Sequence, residues 1–292
     1  MLASAGVLPF LPGGVDWQIL VLLFVAAFAA GWIDAVVGGG GLLQLPVLLL
    51  VPGISPVQAL ATNKLASIFG TTSSSLTYYR RVRPSPRTML TMAAVALGGS
   101  FGGASIAALL PAAVFKPIIV VALVVVALIT LFKPSLGAVT KLKYQGPRHL
   151  VIALAIGVCV GFYDGLLGPG TGTFLIISLV GFLGYDFLQA SAKAKVVNFA
   201  TNFGALCFFI PLGAVIWPLG LAMGVANLLG GFVGSRMAIS KGVGFIRICF
   251  LIIVGVLIVK LGYDVWSEIS EPSCTRSGRW CQSADGWLPP ES

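Results

Sequence analysis

The chain has 292 residues, 58% hydrophobic and only 9% charged, with a mean hydropathy of +1.01. A soluble domain carries roughly one-quarter charged residues, so 18 Lys and Arg with 9 Asp and Glu cannot cover a water-exposed surface, and the composition describes one membrane-embedded body. The net charge of +9 is gathered in short breaks between apolar runs, which argues against a nucleic-acid partner, and a single histidine (His149) with five scattered cysteines argues against a metal cage, haem or an iron–sulfur cluster, so no cofactor is expected.

Residues 1–16 contain no Lys or Arg and lack the basic start of a cleaved signal peptide, so the first apolar segment is expected to remain in the protein. Apolar segments follow at 17–37, 42–51, 55–79, 88–110, 115–132, 149–167, 172–183, 187–210, 217–238 and 245–263. Most have the length an α-helix needs to cross ~30 Å of hydrocarbon at ~1.5 Å per residue. The segments 42–51 and 172–183 are too short and read as half-helices of a re-entrant hairpin or as incomplete spans. Pro52-Gly53, Pro84-Ser85-Pro86, Pro111, Pro134-Ser135 and Pro211 mark the breaks. No stretch alternates as barrel strands do, so the fold class is an all-α integral membrane protein.

The list of segments repeats. A shift of 130 carries Gly31-Trp32-Ile33-Asp34 onto Gly161-Phe162-Tyr163-Asp164, and Gly38 and Gly40 onto Gly168 and Gly170. A shift of 131 carries Gln58, Ala59, Ala61 and Lys64 onto Gln189, Ala190, Ala192 and Lys195, and a shift of 132 carries Leu97, Gly98, Gly99 and Gly102 onto Leu229, Gly230, Gly231 and Gly234. An offset that grows by one at each loop marks a duplication. The expected organisation is one transmembrane domain over 1–263, with repeats at about 17–132 and 149–263 joined by a cytoplasmic linker 133–148, and an extracytoplasmic tail over 264–292.

Charge orients the halves. Between Ala35 and Tyr163 there is no acid, while Arg80, Arg81, Arg83, Arg87, Lys133, Lys141, Lys143 and Arg148 fall in two breaks, as in cytoplasmic loops. The loop holding Arg80, Arg81, Arg83 and Arg87 has an uncharged counterpart, Pro211–Trp217; the next loop has only Lys116 against Arg236, Lys241 and Arg247 in the second half. Equivalent loops thus face opposite sides, which predicts inverted-topology repeats in the cell membrane with both termini extracytoplasmic. Each half then crosses an odd number of times, either five, or three plus a re-entrant hairpin.

The stretch from Gly31 to Gly41 and its partner from Gly161 to Thr173 interrupt helical hydrogen bonding at membrane depth, where broken backbone is tolerated only inside protein or along a cavity. The N–H groups of Gly39, Gly40 and Gly41, and of Gly170, Thr171 and Gly172, would stand at the positive ends of the short helices and favour an anion. The alternative is that these glycines serve close helix packing. Lys64 and Lys195 occupy equivalent positions in the following segments. Each could attract an anion whose oxygens bond Thr62, Asn63, Asn198, Thr201 and Asn202, or could snorkel to an interface with Lys193. Asp34 and Asp164 are the only acids inside the membrane body, suited either to carrying a coupling proton or to bracing their glycine breaks by accepting backbone N–H bonds. Tyr78, Tyr79, Trp17, Trp217 and Trp266 read as interface anchors, and Cys159, Cys207 and Cys249 as packing residues. Cys274 and Cys281 could pair if the tail is outside.

With the doubled Gly-rich motif and its Asp, the stretch Gln58–Ser67 with its echo Gln189–Asn198, and the Gly-rich helices at Gly98–Gly103 and Gly230–Gly234, the chain resembles the sulfite exporter TauE/SafE family of anion permeases over about 17–263. The resemblance implies a transporter, not an enzyme, for a small sulfur-containing oxyanion such as sulfite, sulfoacetate or a related sulfonate. Export by alternating access is expected, with proton coupling and homo-oligomerisation left open. A cation permease or channel using Asp34 and Asp164 is the alternative; an enzyme is disfavoured because no His accompanies either acid. The reversal of basic loops is checked by labelling single cysteines in a variant lacking the five native ones. Positions Arg83 and Lys241 are expected inside, and Asp16 and Asp285 outside; termini on opposite faces, or both inside, would overturn the inverted arrangement.

Overall fold

The computed structural model describes residues 17–49, 51–111, 140–270, 273–274, 281–283 and 286–288. The expected segment 115–132 and the first part of the linker lie outside them. Helix α1 (Trp17–Val37) is followed by the short α2 (Gly40–Leu49), then α3 (Pro56–Val82) and α4 (Pro86–Ala107). The second half has the same order: α5 (Gly146–Leu166), the short α6 (Thr171–Ser178) running into a π-helical turn at Leu179–Leu183, then α7 (Phe187–Phe209) and α8 (Trp217–Ser270). Both short helices form as expected, and α5 begins inside the stretch assigned to the linker.

Local chemistry sets the helix starts. Ser55 caps α3 in a reciprocal box: its hydroxyl accepts from Gln58 N–H at 3.2 Å, and the Gln58 side chain accepts from Ser55 N–H at 3.0 Å. Asp186 caps α7 by accepting from Gln189 N–H at 2.8 Å. The repeated Gln58 and Gln189 are therefore both third residues of capped helices, and the duplication extends to the caps.

Among the described residues, four helical stretches are long and apolar enough to cross a membrane: Ile19–Val37, Pro86–Ala107, Gly146–Leu166 and Trp217–Gly242. The more polar α3 and α7 pack on each other, and the apolar helices flank them, α8 against α3 and α4 against α7. The remaining large interfaces are α1 with α8 and α4 with α5. Exchanging α1–α4 for α5–α8 maps this set of interfaces onto itself.

Those last two interfaces are made by small residues. Lipid tails are as apolar as leucine, so helices in a membrane associate through close van der Waals packing rather than through exclusion of water. On α8 the buried Ala226, Gly230, Gly234 and Ala238 recur every fourth residue, and Gly230 and Gly234 meet the carbonyls of Phe28 and Trp32 on α1. Between α4 and α5, Gly99 and Gly103 face the carbonyls of Val158 and Phe162, and Gly161 and Gly165 face those of Ala96 and Ser100.

Several expectations are corrected. The loop expected between 238 and 245 shrinks to one non-helical residue, Gly242, at φ 72° and ψ −166°, a kink that divides α8 into two helices, the second running to Ser270, beyond the expected boundary at 263. The tail then forms a small antiparallel meander, β1 (Ser273–Cys274), β2 (Cys281–Ser283) and β3 (Gly286–Leu288), in which Cys274 and Cys281 are register partners. Tyr78 is not an interface anchor: it is fully buried, and its hydroxyl donates to the Ala35 carbonyl at 3.0 Å. Cys159 and Cys207 are exposed rather than packed, because they lie on outward faces of α5 and α7. Tyr79 and Trp217 are exposed, consistent with anchoring; the side chains of Trp17, Trp266 and Cys249 lie outside the described residues.

Glycines of one sequence run differ in what they touch. A Cβ on Gly103 or Gly161 would strike the facing backbone, whereas one on Gly98 or Gly102 meets no atom within 4 Å. Gly103→Ala and Gly161→Ala are each expected to lower stability by about 1–3 kcal/mol, and Gly98→Ala and Gly102→Ala to leave it unchanged, read as the temperature at which the monodisperse peak is lost in detergent. Equal losses at all four positions would refute the assigned packing faces.

Candidate functional site

The site is built from the two glycine breaks. After α1 the chain turns at Gly38, and after α5 at Gly168, with φ of 91° and 87°, a region that side-chain-bearing residues rarely enter. The breaks meet: Thr173 N–H donates to the Gly38 carbonyl at 3.1 Å, the Thr173 hydroxyl donates to the Val37 carbonyl at 3.2 Å, and Gly172 packs directly on Gly38. Carbonyls left open at the end of α1 are thus satisfied by the second half and by Tyr78.

Between the breaks lies a narrow polar cleft with free space for about one or two waters. The first half contributes Asp34, Asn63, Lys64 and Ser67; the second contributes Asp164, Thr171, Asn198, Asn202 and Asn227. Gly38, Gly40, Gly41, Gly168 and Gly172 supply backbone to its wall.

Two ion pairs cross between the halves. Lys64 Nζ lies 2.7 Å from Asp164 Oδ1, with side chains 1% and 2% exposed, and the Thr171 hydroxyl donates to the same oxygen at 2.6 Å. Lys195 Nζ lies 3.2 Å from Asp34 Oδ2, with exposures of 0% and 15%, and also donates to the Asp34 carbonyl; Asn198 donates to Asp34 Oδ1 at 3.5 Å. A Cβ on Gly168 would stand 2.8 Å from Lys64 Nζ, the end of a flexible side chain, so it is the positive φ that calls for glycine there. A buried charge survives only when paired and hydrogen-bonded, and here each half supplies the partner of the other.

This geometry revises the individual roles. Lys64 and Lys195 do not snorkel, since burial and pairing hold them inside. Lys193 instead donates to the Ser85 carbonyl at 3.1 Å, beside the Arg-rich loop, with its ammonium over the Tyr185 ring. Asp34 and Asp164 do not brace their own breaks through backbone N–H groups; each accepts a lysine from the opposite half, and Asp164 holds its break only through the Thr171 hydroxyl. Thr62 is removed from the site, its hydroxyl accepting from Ile216 N–H at 3.1 Å, and Thr201 donates to the Asn198 carbonyl. Gly39 and Gly170 do not line the cleft, and the Thr171 N–H bonds the Gly168 carbonyl at 3.3 Å. Gly40 reaches the cleft but packs on α1 against Ala30 and Asp34, while Gly41 has ordinary contact distances of 3.5 Å or more.

Ser67 and Asn227 belong to the cleft without having been candidates for it, and Gly38 and Gly168 enter it from the matched positions of the repeat. Asn227 donates to Gln44 at 2.6 Å; it is an amide inside an apolar helix, which was the available signal. Asn63 Oδ1 and Asp164 Oδ2 are buried acceptors with no partner within the protein. Among the described residues no three His, Cys, Asp or Glu come together as metal ligands.

Residues 22–261 match the family model for the sulfite exporter TauE/SafE, a range that contains both breaks and both ion pairs. The chain belongs to the sulfite exporter TauE/SafE family. It is 40% identical over 248 residues to the probable membrane transporter protein ORF9 of a Sinorhizobium species, covering 85% of this chain and 94% of that one. It is 38% identical over 246 residues to the probable membrane transporter protein YfcA of Escherichia coli K12, covering 84% and 90%, and 34% identical over 251 residues to a probable membrane transporter protein of Haemophilus influenzae, covering 86% and 96%. No solved structure matches significantly. This TauE/SafE protein is therefore a multi-pass membrane transporter and not an enzyme.

Removing one partner of a buried pair leaves an uncompensated charge, whereas neutralising both does not. Lys64→Gln is expected to cost about 3–5 kcal/mol, and Lys64→Gln with Asp164→Asn to recover most of that loss, measured by unfolding in detergent. A double variant as unstable as the single one would show that the pair is not what the fold requires.

Proposed function

We propose that this protein moves a small sulfur-containing oxyanion, such as sulfite, sulfoacetate or a related sulfonate, across the cell membrane by opening the cleft to one side at a time. The observation that carries this reading is the cleft where both half-helices begin, bounded by two lysine–aspartate pairs that link the halves. The N–H groups of Leu42, Thr171, Thr173 and Phe174 already bond carbonyls of the two breaks, so the donors left at the starts of α2 and α6 are those of Gly40, Gly41 and Gly172, all in the cleft wall, and Asn63, Asn198 and Asn202 can donate to oxyanion oxygens. An entering anion competes with Asp164 and Asp34 for the two ammonium groups. Once a lysine turns to the anion, the link it made between the halves is released, so ligand binding and relative movement of the halves become one event.

The same accounting supports proton coupling. Two lysines and two aspartates sum to zero, so an anion alone would leave an uncompensated negative charge in a poorly solvated cleft. A proton taken up at the unpartnered Asp164 Oδ2 restores neutrality. A cation would instead have to displace both ammonium groups from their carboxylates, so the cleft favours anion transport over the cation alternative. The reciprocal pairing supports a single domain of two repeats, the reversal of basic loops supports their inverted topology with both termini and the 264–292 tail extracytoplasmic, and the family's description as sulfite exporter supports export from the cytoplasm as the direction of flux.

Flux into liposomes tests the proposal, with sulfite, sulfoacetate, sulfate and chloride compared with and without a pH gradient. Saturable movement of sulfite or sulfoacetate is expected. Lys64→Gln and Lys195→Gln should each slow it about ten-fold or more, as loss of a charge-assisted hydrogen bond implies, and Asp164→Asn should abolish its response to the pH gradient. Flux of a metal cation that Asp34→Asn and Asp164→Asn abolish, with no flux of any anion, would reverse the assignment.

A further inference from the structure

We propose that the outer face of α3, α4 and α7 holds an anionic phospholipid, its phosphate on Arg80 and Arg83 and an acyl chain in the groove beneath them. Two cavities adjoin there and share Tyr79. One, of about 420 Å³, is bounded by Tyr79, Arg80, Arg83, Pro84 and Pro86. The other, of about 310 Å³, has walls from all three helices: Leu76 on α3, Met89 and Leu90 on α4, and Val196 and Phe199 on α7.

The dimensions fit one leaflet. The groove begins at Thr72, and the eleven residues of helix from there to Arg83 rise about 16 Å, close to the ~15 Å hydrocarbon half-thickness of a bilayer. A charged end at one level and an apolar trough below it is the shape of a phosphate ester with a fatty chain. Leu76 and Leu90 are open to the outside, and buried Met89 forms the floor.

The arginines are held ready for an anion. Arg83 ends α3 in the left-handed conformation at φ 51°, its N–H donating to the Tyr79 carbonyl at 3.2 Å, and Pro84 and Pro86 stiffen the chain that follows. An arginine in that conformation is uncommon, and it fixes the direction in which the Arg83 Cβ leaves the chain. Arg80 and Arg83 are exposed, and among the described residues neither has a salt bridge. No acid occurs between Ala35 and Tyr163 to compete for them. A second copy of this chain is a poor occupant, because a two-fold interface on this face would set the arginines of one copy against those of the other. Phospholipid phosphate is the anion available at this depth.

The location also bears on the cleft. Val196 and Phe199 adjoin Lys195 and Asn198 in the same helix, so a lipid in the groove presses on the outer face of the helix whose inner face carries the Asp34 contacts.

The test is native mass spectrometry of the full chain in mild detergent, offered equimolar dioleoyl phosphatidylglycerol and dioleoyl phosphatidylcholine. Retained lipid mass does not depend on transport, so this inference and the transport reading stand or fall separately. Each arginine near an anionic headgroup favours it about five-fold, so the parent should prefer phosphatidylglycerol roughly twenty-fold or more. Arg80→Gln with Arg83→Gln should lose that preference, and Leu90→Trp should lower retention by filling the groove; Arg236→Gln, on α8, should behave as the parent. Equal retention of the two lipids by the parent, a preference that survives in the double arginine variant, unchanged retention in Leu90→Trp, or a dimer that releases the lipid on forming would each overturn it.

Discussion

Around the cleft, two ammonium groups and two carboxylates stand where the surroundings are packed helix, and each must find its opposite there. An unpaired lysine at that depth costs about 2.5–3.5 kcal/mol on insertion scales. Had Lys64 paired with Asp34, and Lys195 with Asp164, each half would have satisfied its own charges. The pairs run instead from Lys64 to Asp164 and from Lys195 to Asp34, so each half on its own carries a bare cation and a bare anion. Docking of the halves satisfies all four groups at once, and the surface where they dock is the cleft.

The glycines do two separate jobs that composition alone cannot distinguish. On α1, α4, α5 and α8 they thin the helices so that backbones approach, and the apolar helices clasp one another across the halves. At Gly38 and Gly168 they turn the chain so that a short helix can start facing the opposite half. The second job depends on the first. Only when α1 lies close against α8, and α4 against α5, do the two turns come near enough for Thr173 to bond the Gly38 carbonyl.

Much of this was legible in the residues. The creeping offset of 130 to 132 located both halves, the short helices and the equivalent lysines, and it even matches Ser55 to Asp186 as helix caps. The pairing was not legible, because the cost of a buried charge was weighed against lipid and water, whereas its partner is brought from 100 or 161 residues away. Thr62 was misplaced for a plainer reason. Asn63, Lys64 and Ser67 share one helical face, and Thr62 lies about 200° from Lys64 at 100° per residue. The same phase sets Lys193 opposite Lys195 on α7, so that two buried lysines turn to different partners, the Ser85 carbonyl and the Asp34 carboxylate. Asn227 has no polar counterpart in the first half, where the shift of 132 leads to Val95, so the repeat could not reveal it.

The two pairs are not equivalent, and the difference traces to one position of the duplication. Thr171 stands where the first half has Gly41, and its hydroxyl adds a second donor to the carboxylate oxygen that Lys64 holds at 2.7 Å. Asp34 receives no such hydroxyl. It takes a side-chain amide at 3.5 Å, sits 3.2 Å from its lysine and stays 15% exposed. One carboxylate is therefore sealed and the other partly open, although both descend from the same motif. In the transport reading proposed above, an entering ligand would meet the weaker, wetter pair first. Because Lys195 is also tied to the Asp34 carbonyl at the end of α1, loosening that pair frees the backbone of the first break as well as a charge. The second pair, with Asp164 Oδ2 lacking a partner, would then answer the change in charge. A site of two identical halves could not assign order to those events; a threonine in place of a glycine is enough to do so.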